Sequence, residues 1–70
     1  MKLNDLKNVC ESKCMITVLA FFNTGEYYSF RTYNDAPVYL KDCKPDVLDL
    51  DVDRIISVNN CLHIDVREII

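Results

Sequence analysis

The spacing of apolar residues changes twice along the chain, and each change marks a new kind of element. Leu3, Leu6, Val9 and Cys10, with Lys13 on the same stripe, recur at intervals of three and four residues, the period of one helix face. Asn4 stands where an N-cap is expected, and Asp5 falls in the first turn, where the helix dipole favours a carboxylate. The pattern predicts a helix of about three turns ending near Lys13. Its other face, Asp5, Lys7, Asn8, Glu11 and Ser12, is polar, so the helix needs a sheet or a partner to lie on.

From Met15 to Phe22 the residues turn β-branched and aromatic. Asn23, Thr24 and Gly25 then interrupt the run before it resumes from Glu26 to Thr32. Two such runs around a short Gly-containing loop predict a β-hairpin with Gly25 at the positive φ. Asn34-Asp35-Ala36-Pro37-Val38-Tyr39-Leu40 has a capping residue ahead of a proline suited to a first helical turn. It predicts one short helical or 3₁₀ turn, ending by Lys44-Pro45.

The last third alternates with period two. Leu48, Leu50, Val52, Ile56 and Val58 fall on one parity, with Arg54 as the break, and Leu62, Ile64 and Val66 follow after Asn59-Asn60. Parity then constrains the turn. A two-residue loop at Asn59-Asn60 pairs Val58 with Cys61 and Ile56 with His63, which puts the second strand's apolar set on the wrong face. A three-residue loop, Asn59-Asn60-Cys61, pairs Val58 with Leu62, Ile56 with Ile64 and Arg54 with Val66, and is the preferred reading. It sets Asp53 opposite Arg67 and Ser57 opposite His63 on the wetter face, with an Asn taking the left-handed conformation. The expected architecture is α+β: an N-terminal helix packed on a four-stranded, mainly antiparallel sheet, in the order α-β-β-short helical turn-β-β.

Composition bounds what such a fold does. Seventy residues make a single domain, 1–70, and the 50% apolar share is enough for it to fold. A chain this short hides only about 60% of its unfolded surface, which argues against a deep, water-excluding catalytic pocket. The net charge of −3 and the scatter of Lys2, Lys7, Lys13, Arg31, Lys41, Lys44, Arg54 and Arg67 along the chain argue against direct nucleic-acid binding. Asp42, Asp46, Asp49, Asp51 and Asp53 fall within twelve positions, a surplus suited to a basic partner. Charges interrupt the first thirteen residues and the apolar run from Met15 to Phe22 is eight long, so neither a secretory signal nor a membrane span is expected, and the expected place is the cytoplasm.

Residues with chemical potential read as structural. Asp49, Asp51 and Asp53 have the alternate spacing of a calcium loop, but Arg54 stands where such a loop needs Gly and Asn60 where it needs Glu; they read as an outward carboxylate row on a strand. Cys10, Cys14, Cys43 and Cys61 with His63 match no zinc spacing and read as reduced, largely buried thiols. A Cys61–His63 nucleophile pair is poorly arranged, because residues two apart on a strand point in parallel. No catalytic residue, metal or cofactor is expected.

The aromatics are more telling. Phe21 and Phe22 are adjacent in a strand and must take opposite faces, as must Tyr27 and Tyr28. In either register one Phe and one Tyr lie away from the helix, with the Met15, Thr17, Leu19 set or the Ile16, Val18, Ala20 set beside them. This second apolar face either serves as an interface or is covered by sheet curling or by the Pro37–Leu40 segment.

Met1-Lys2-Leu3-Asn4-Asp5-Leu6, a hairpin turning at Asn23-Thr24-Gly25-Glu26, Asp46-Val47-Leu48-Asp49-Leu50-Asp51-Val52 and Asn59-Asn60-Cys61-Leu62-His63-Ile64-Asp65-Val66 together resemble short proteins abundant in phages and prophages of low-GC Gram-positive bacteria. Some small acidic α+β proteins of that kind are anti-CRISPR or other anti-defence inhibitors that offer carboxylates to a host protein's nucleic-acid-binding groove. The resemblance implies a non-enzymatic inhibitor in the host cytoplasm, and no functional residue carries over by motif. On this reading Asp49, Asp51 and Asp53 steer the protein to a host partner, and Phe21 or Phe22 with Tyr27 or Tyr28 anchor it. The alternative is a homo-oligomer whose leftover aromatic face builds a shared cleft for a small molecule such as a signalling nucleotide.

Overall fold

The computed structural model describes residues 1–21, 27–32 and 36–69, with 27–32 described by backbone alone. Strands β1 (Cys14–Phe21), β2 (Tyr27–Thr32), β3 (Asp51–Val58) and β4 (Cys61–Ile69) form one sheet in the order β2-β1-β4-β3. Among the described residues three short helical pieces accompany it: α1 (Asn4–Lys7), a 3₁₀ turn (Leu40–Asp42) and α2 (Pro45–Leu48). The α+β class is the expected one, but the sheet is mixed. Both hairpins are antiparallel, whereas the central pair, β1 with β4, is parallel. The reason lies in the apolar sets: Cys14, Ile16 and Val18 on β1 pair directly with Leu62, Ile64 and Val66 on β4, so the two most regular stripes bury each other's flanks.

The core lies between these stripes and the helical pieces. Cys14, Ile16, Val18, Ile64 and Val66 from the sheet meet Leu3, Leu40, Cys43, Val47 and Leu48 from the cover. Burying one such aliphatic side chain contributes about 1.5–3 kcal/mol, so each member of this small set matters to the stability of the fold. Residues 1–3 join the sheet margin instead of starting a helix. Leu3 N–H donates to the Leu50 carbonyl at 2.9 Å and Val52 N–H to the Met1 carbonyl at 2.8 Å, which bridges Lys2 to Asp51.

Several expectations are corrected. The N-terminal helix is one turn, not three, and Leu3 rather than Asn4 is its N-cap. Asp5 accepts from Lys2 N–H at 2.9 Å and closes its start. Asn8, Val9, Cys10 and Ser12 are weak helix formers, and Cys14 is held extended by two backbone hydrogen bonds with Val38, at 2.8 and 3.0 Å. The next helical turn comes after Tyr39 instead of at Pro37; the proline that opens a helix is Pro45, at the start of α2. Val47 and Leu48 are both buried, which a helical turn allows and a strand over one layer does not, so the alternation read from Leu48 becomes a strand only at Asp51. Phe22 and the turn at Asn23-Thr24-Gly25-Glu26 lie outside the described residues, as do Asn34 and Asp35.

The second hairpin turns on two residues, not three. Asn59 and Asn60 have φ of 51° and 63°, the paired positive values of a type I′ turn, and Val58 pairs with Cys61 and Ile56 with His63. The parity conflict is resolved by a β-bulge. Val52 pairs with Val66 but Arg54 with Asp65, so Asp53 is the extra residue and the strand changes face across it. Val52 thereby reaches the core, while Ile56 and Val58 are carried to the opposite face.

Candidate functional site

The face opposite the helical pieces is organised in rows by strand register. Met15, His63 and Ile56 form the first row; Thr17, Asp65 and Arg54 the second; Leu19, Arg67 and Asp51 the third; Phe21 and Ile69 the last. The odd-numbered β1 set is therefore the one left outside the core, which decides between the two registers open to the sequence. Arg54 binds Asp65 at 3.0 Å through Nη2, with a further bond from Nε at 3.1 Å, and Arg67 Nε meets Asp53 at 3.2 Å. These pairs leave a charge-balanced belt between two apolar rows.

The far half of β3 brings three exposed aliphatic side chains together within four positions. Ile55, Ile56 and Val58 are 41%, 40% and 41% exposed, and they lie on both faces of the strand: Ile55 opposite Ile64, Ile56 opposite His63, Val58 opposite Cys61. β3 is also an edge strand. Residues 1–3 pair with its beginning only. From Arg54 to Val58 its outer backbone groups make no hydrogen bond among the described residues. Two faces and one edge are thus open in a single segment of five residues.

The expected site residues are placed differently. Asp49, Asp51 and Asp53 do not form a row: Asp49 ends α2, Asp51 lies 3.7 Å from Lys2, and Asp53 is the bulge residue held by Arg67. Of the aromatic anchors, Phe21 is half-buried at the end of β1 and registered with Ile69 and Tyr27. Phe22 and the side chains of Tyr27 and Tyr28 lie outside the described residues. Ser57 faces Leu62 instead of His63, and His63 stands half-buried between Met15 and Ile56. Parity reasoning assigned Ile56 and Val58 to the core and so missed them as surface. The signal that would have found them is the Asn59-Asn60 pair, two residues that both tolerate positive φ.

All four cysteines are free, and they gather around the start of β1. Cys14 donates to the Val38 carbonyl at 3.6 Å, Cys43 to Tyr39 at 3.9 Å and Cys61 to Lys13 at 3.9 Å. Burial first, then the neighbouring Cys43, Cys10 and Cys61, pushes the Cys14 thiol up to about 11. Burial, with Asp42 second, also raises Cys43. Both are therefore protonated at neutral pH and act as small apolar fillers, since the thiolate is the form that attacks and ligates. Among the described residues no group of three or more His, Cys, Asp or Glu is arranged to hold a metal ion.

Comparison with protein-family models, with curated proteins and with solved structures finds no match. Among the described residues no helix is long and apolar enough to cross a membrane.

Proposed function

We propose that this chain is a non-enzymatic binding protein that captures an extended segment of another protein on the free edge of β3. The observation that carries the reading is the state of Arg54–Val58, where an unpaired backbone edge coincides with three exposed aliphatic side chains divided between both faces. Strand addition uses those two things: main-chain hydrogen bonds for affinity, and alternate side chains above and below for selectivity. Edges are normally blunted by charge, Pro, a bulge or a cover; here Arg54 and the bulge at Asp53 guard only the start of the segment, and Ile55–Val58 carries no charge or Pro and no described backbone pairs with its outer edge.

The partner is a basic protein. Asp42, Asp46 and Asp49 are exposed on the cover and the chain carries net charge −3, which favours encounter with a positive surface. Together with the resemblance to phage proteins, this gives an anti-defence inhibitor of a nucleic-acid-binding host protein, anchored by Ile55, Ile56 and Val58 with the carboxylates steering.

The test is capture from a bacterial lysate by the wild-type protein and by Ile56→Lys, followed by amide hydrogen exchange on the purified complex. A basic defence protein retained by wild type and lost by Ile56→Lys, with slowed exchange at 54–58, is the expected result. Unchanged exchange at 54–58 in a complex that forms equally with both versions overturns it. Slowed exchange in the partner-free protein, together with a doubled mass by light scattering, replaces the foreign strand with a second copy of this chain.

A further inference from the structure

Away from β3, the turn after α1 and the 3₁₀ turn enclose a cleft of about 510 Å³ lined by Lys7, Cys10, Glu11, Tyr39 and Lys41, among others. Tyr39 is 39% exposed although it directly precedes the buried Leu40. Its backbone is fixed on both sides, by the Val38–Cys14 bridge and by the Asp42 N–H that donates to its carbonyl at 3.0 Å. Two ammonium groups share its ring: Lys13 Nζ lies 5.4 Å and Lys41 Nζ 5.3 Å from the centroid. Lys7 lines the same cleft from α1.

This gathering is unexpected in an acidic chain. Two of its eight basic residues, Lys7 and Lys41, line the cleft although they are 34 positions apart, and Lys13 joins Lys41 at the Tyr39 ring. None of the three is within ion-pair distance of a carboxylate among the described residues, and Glu11 is the one acidic side chain in the lining. Cation–π contact places Lys13 and Lys41 beside the ring without neutralising them, so both ammonium charges remain available to an anion.

We infer that this cleft binds the polyphosphate group of a small phosphorylated ligand, with Lys7, Lys13 and Lys41 as its counter-charges and Tyr39 as the platform that gathers two of them. Ammonium groups bind phosphate oxygens as point charges with several donors each, and two of them in the lining with a third at the Tyr39 ring, against one carboxylate, suit an anion carrying two or more charges better than a single carboxylate ligand. The volume falls within the range of small-molecule sites. A long nucleic-acid polyanion is disfavoured by the acidic remainder of the surface, so the ligand is compact.

Isothermal titration of the whole protein with inorganic pyrophosphate, and separately with ADP, tests this. Binding of pyrophosphate is expected, weakening as salt is raised and falling by about tenfold for each of Lys7→Gln and Lys41→Gln, the loss typical of one charge-assisted contact. Both side chains are exposed, and unchanged thermal unfolding of the variants confirms that folding is not the cause. Slowed maleimide labelling of Cys10, which lines the cleft, locates the anion there. Tighter binding of ADP identifies a nucleotide; equal or weaker binding identifies a polyphosphate read without its nucleoside. Absence of binding at millimolar pyrophosphate in low salt, or equal binding by Lys7→Gln/Lys41→Gln, overturns the assignment.

Discussion

Replacing Asn60 tests the device that orients β3. Asn59 and Asn60 both hold positive φ, 51° and 63°. An alanine there sets its Cβ against the following carbonyl and costs about 1–2 kcal/mol, which asparagine partly avoids through local hydrogen bonds and glycine avoids altogether. Asn60→Ala should therefore destabilise the fold by about 1 kcal/mol, while Asn60→Gly leaves it unchanged or slightly stabilised. In a domain of this size 1 kcal/mol moves the midpoint by about 4–8 °C, well within the resolution of thermal unfolding followed by far-ultraviolet circular dichroism. Asn59→Ala should behave like Asn60→Ala, because a two-residue turn makes the same demand of both positions. A three-residue loop demands the left-handed conformation of one asparagine alone, so an alanine effect at only one position would refute the two-residue turn. So would equal midpoints for Asn60→Ala and Asn60→Gly. The register follows from this turn, and with it the exposure of Ile56 and Val58.

Other expectations follow from the core and the thiols. Ile64 is 1% exposed at the centre of the sheet, and Ile64→Ala should cost about 2–5 kcal/mol, most or all of the stability of so small a domain; urea titration by circular dichroism measures it. Thiol labelling should reach Cys10 and Cys61, which are half-buried, before Cys14 and Cys43, which are buried and should react only on unfolding. Cys14 ionises at about 11 in the fold against a reference of 9.0, so between these pH values the unfolded chain gives up a proton that the folded chain keeps. Its contribution to stability is whole below pH 9.0 and is lost as pH rises toward 11, and the midpoint of Cys14→Ala should fall less steeply over that interval than that of wild type. Arg54→Ala leaves the Asp65 carboxylate, 14% exposed, without its partner and should destabilise by about 1–3 kcal/mol in the same urea assay; no change would show the pair to be dispensable.

The elements that repeat with a clean period were legible, and those that break period were not. Ile16-Val18-Ala20 and Leu62-Ile64-Val66 alternate without interruption, and both strands occur where alternation puts them. Asp53 to Val58 is different. A two-residue turn and a bulge each shift parity by one, and the two shifts cancel at Val52 but not at Ile56. Sequence alternation cannot separate that pair of compensating shifts from no shift at all, which is why a longer loop looked preferable. Asp53 was expected in register opposite Arg67, but Asp51 takes that position, and Asp53 reaches Arg67 Nε at 3.2 Å only from the bulge. The helix stripe from Leu3 to Lys13 failed for another reason: its first residues pair with Leu50 and Asp51 and its last lead into Cys14, so extended neighbours at both ends leave room for one turn.

The sequence by itself determined the α+β class, the approximate places of the four strands, the acidic balance and the excess of apolar residues over what one cover can hide. Those depend on period and composition, which are local properties. Only the tertiary structure decided that β4 lies parallel beside β1, that Asp53 is a bulge, that Ile55, Ile56 and Val58 share an open edge, and that Lys13 and Lys41 meet at the Tyr39 ring beside a cleft that Lys7 lines. Each of these joins residues distant along the chain, and which of them meet depends on how competing apolar faces bury one another, a choice made by the whole core at once.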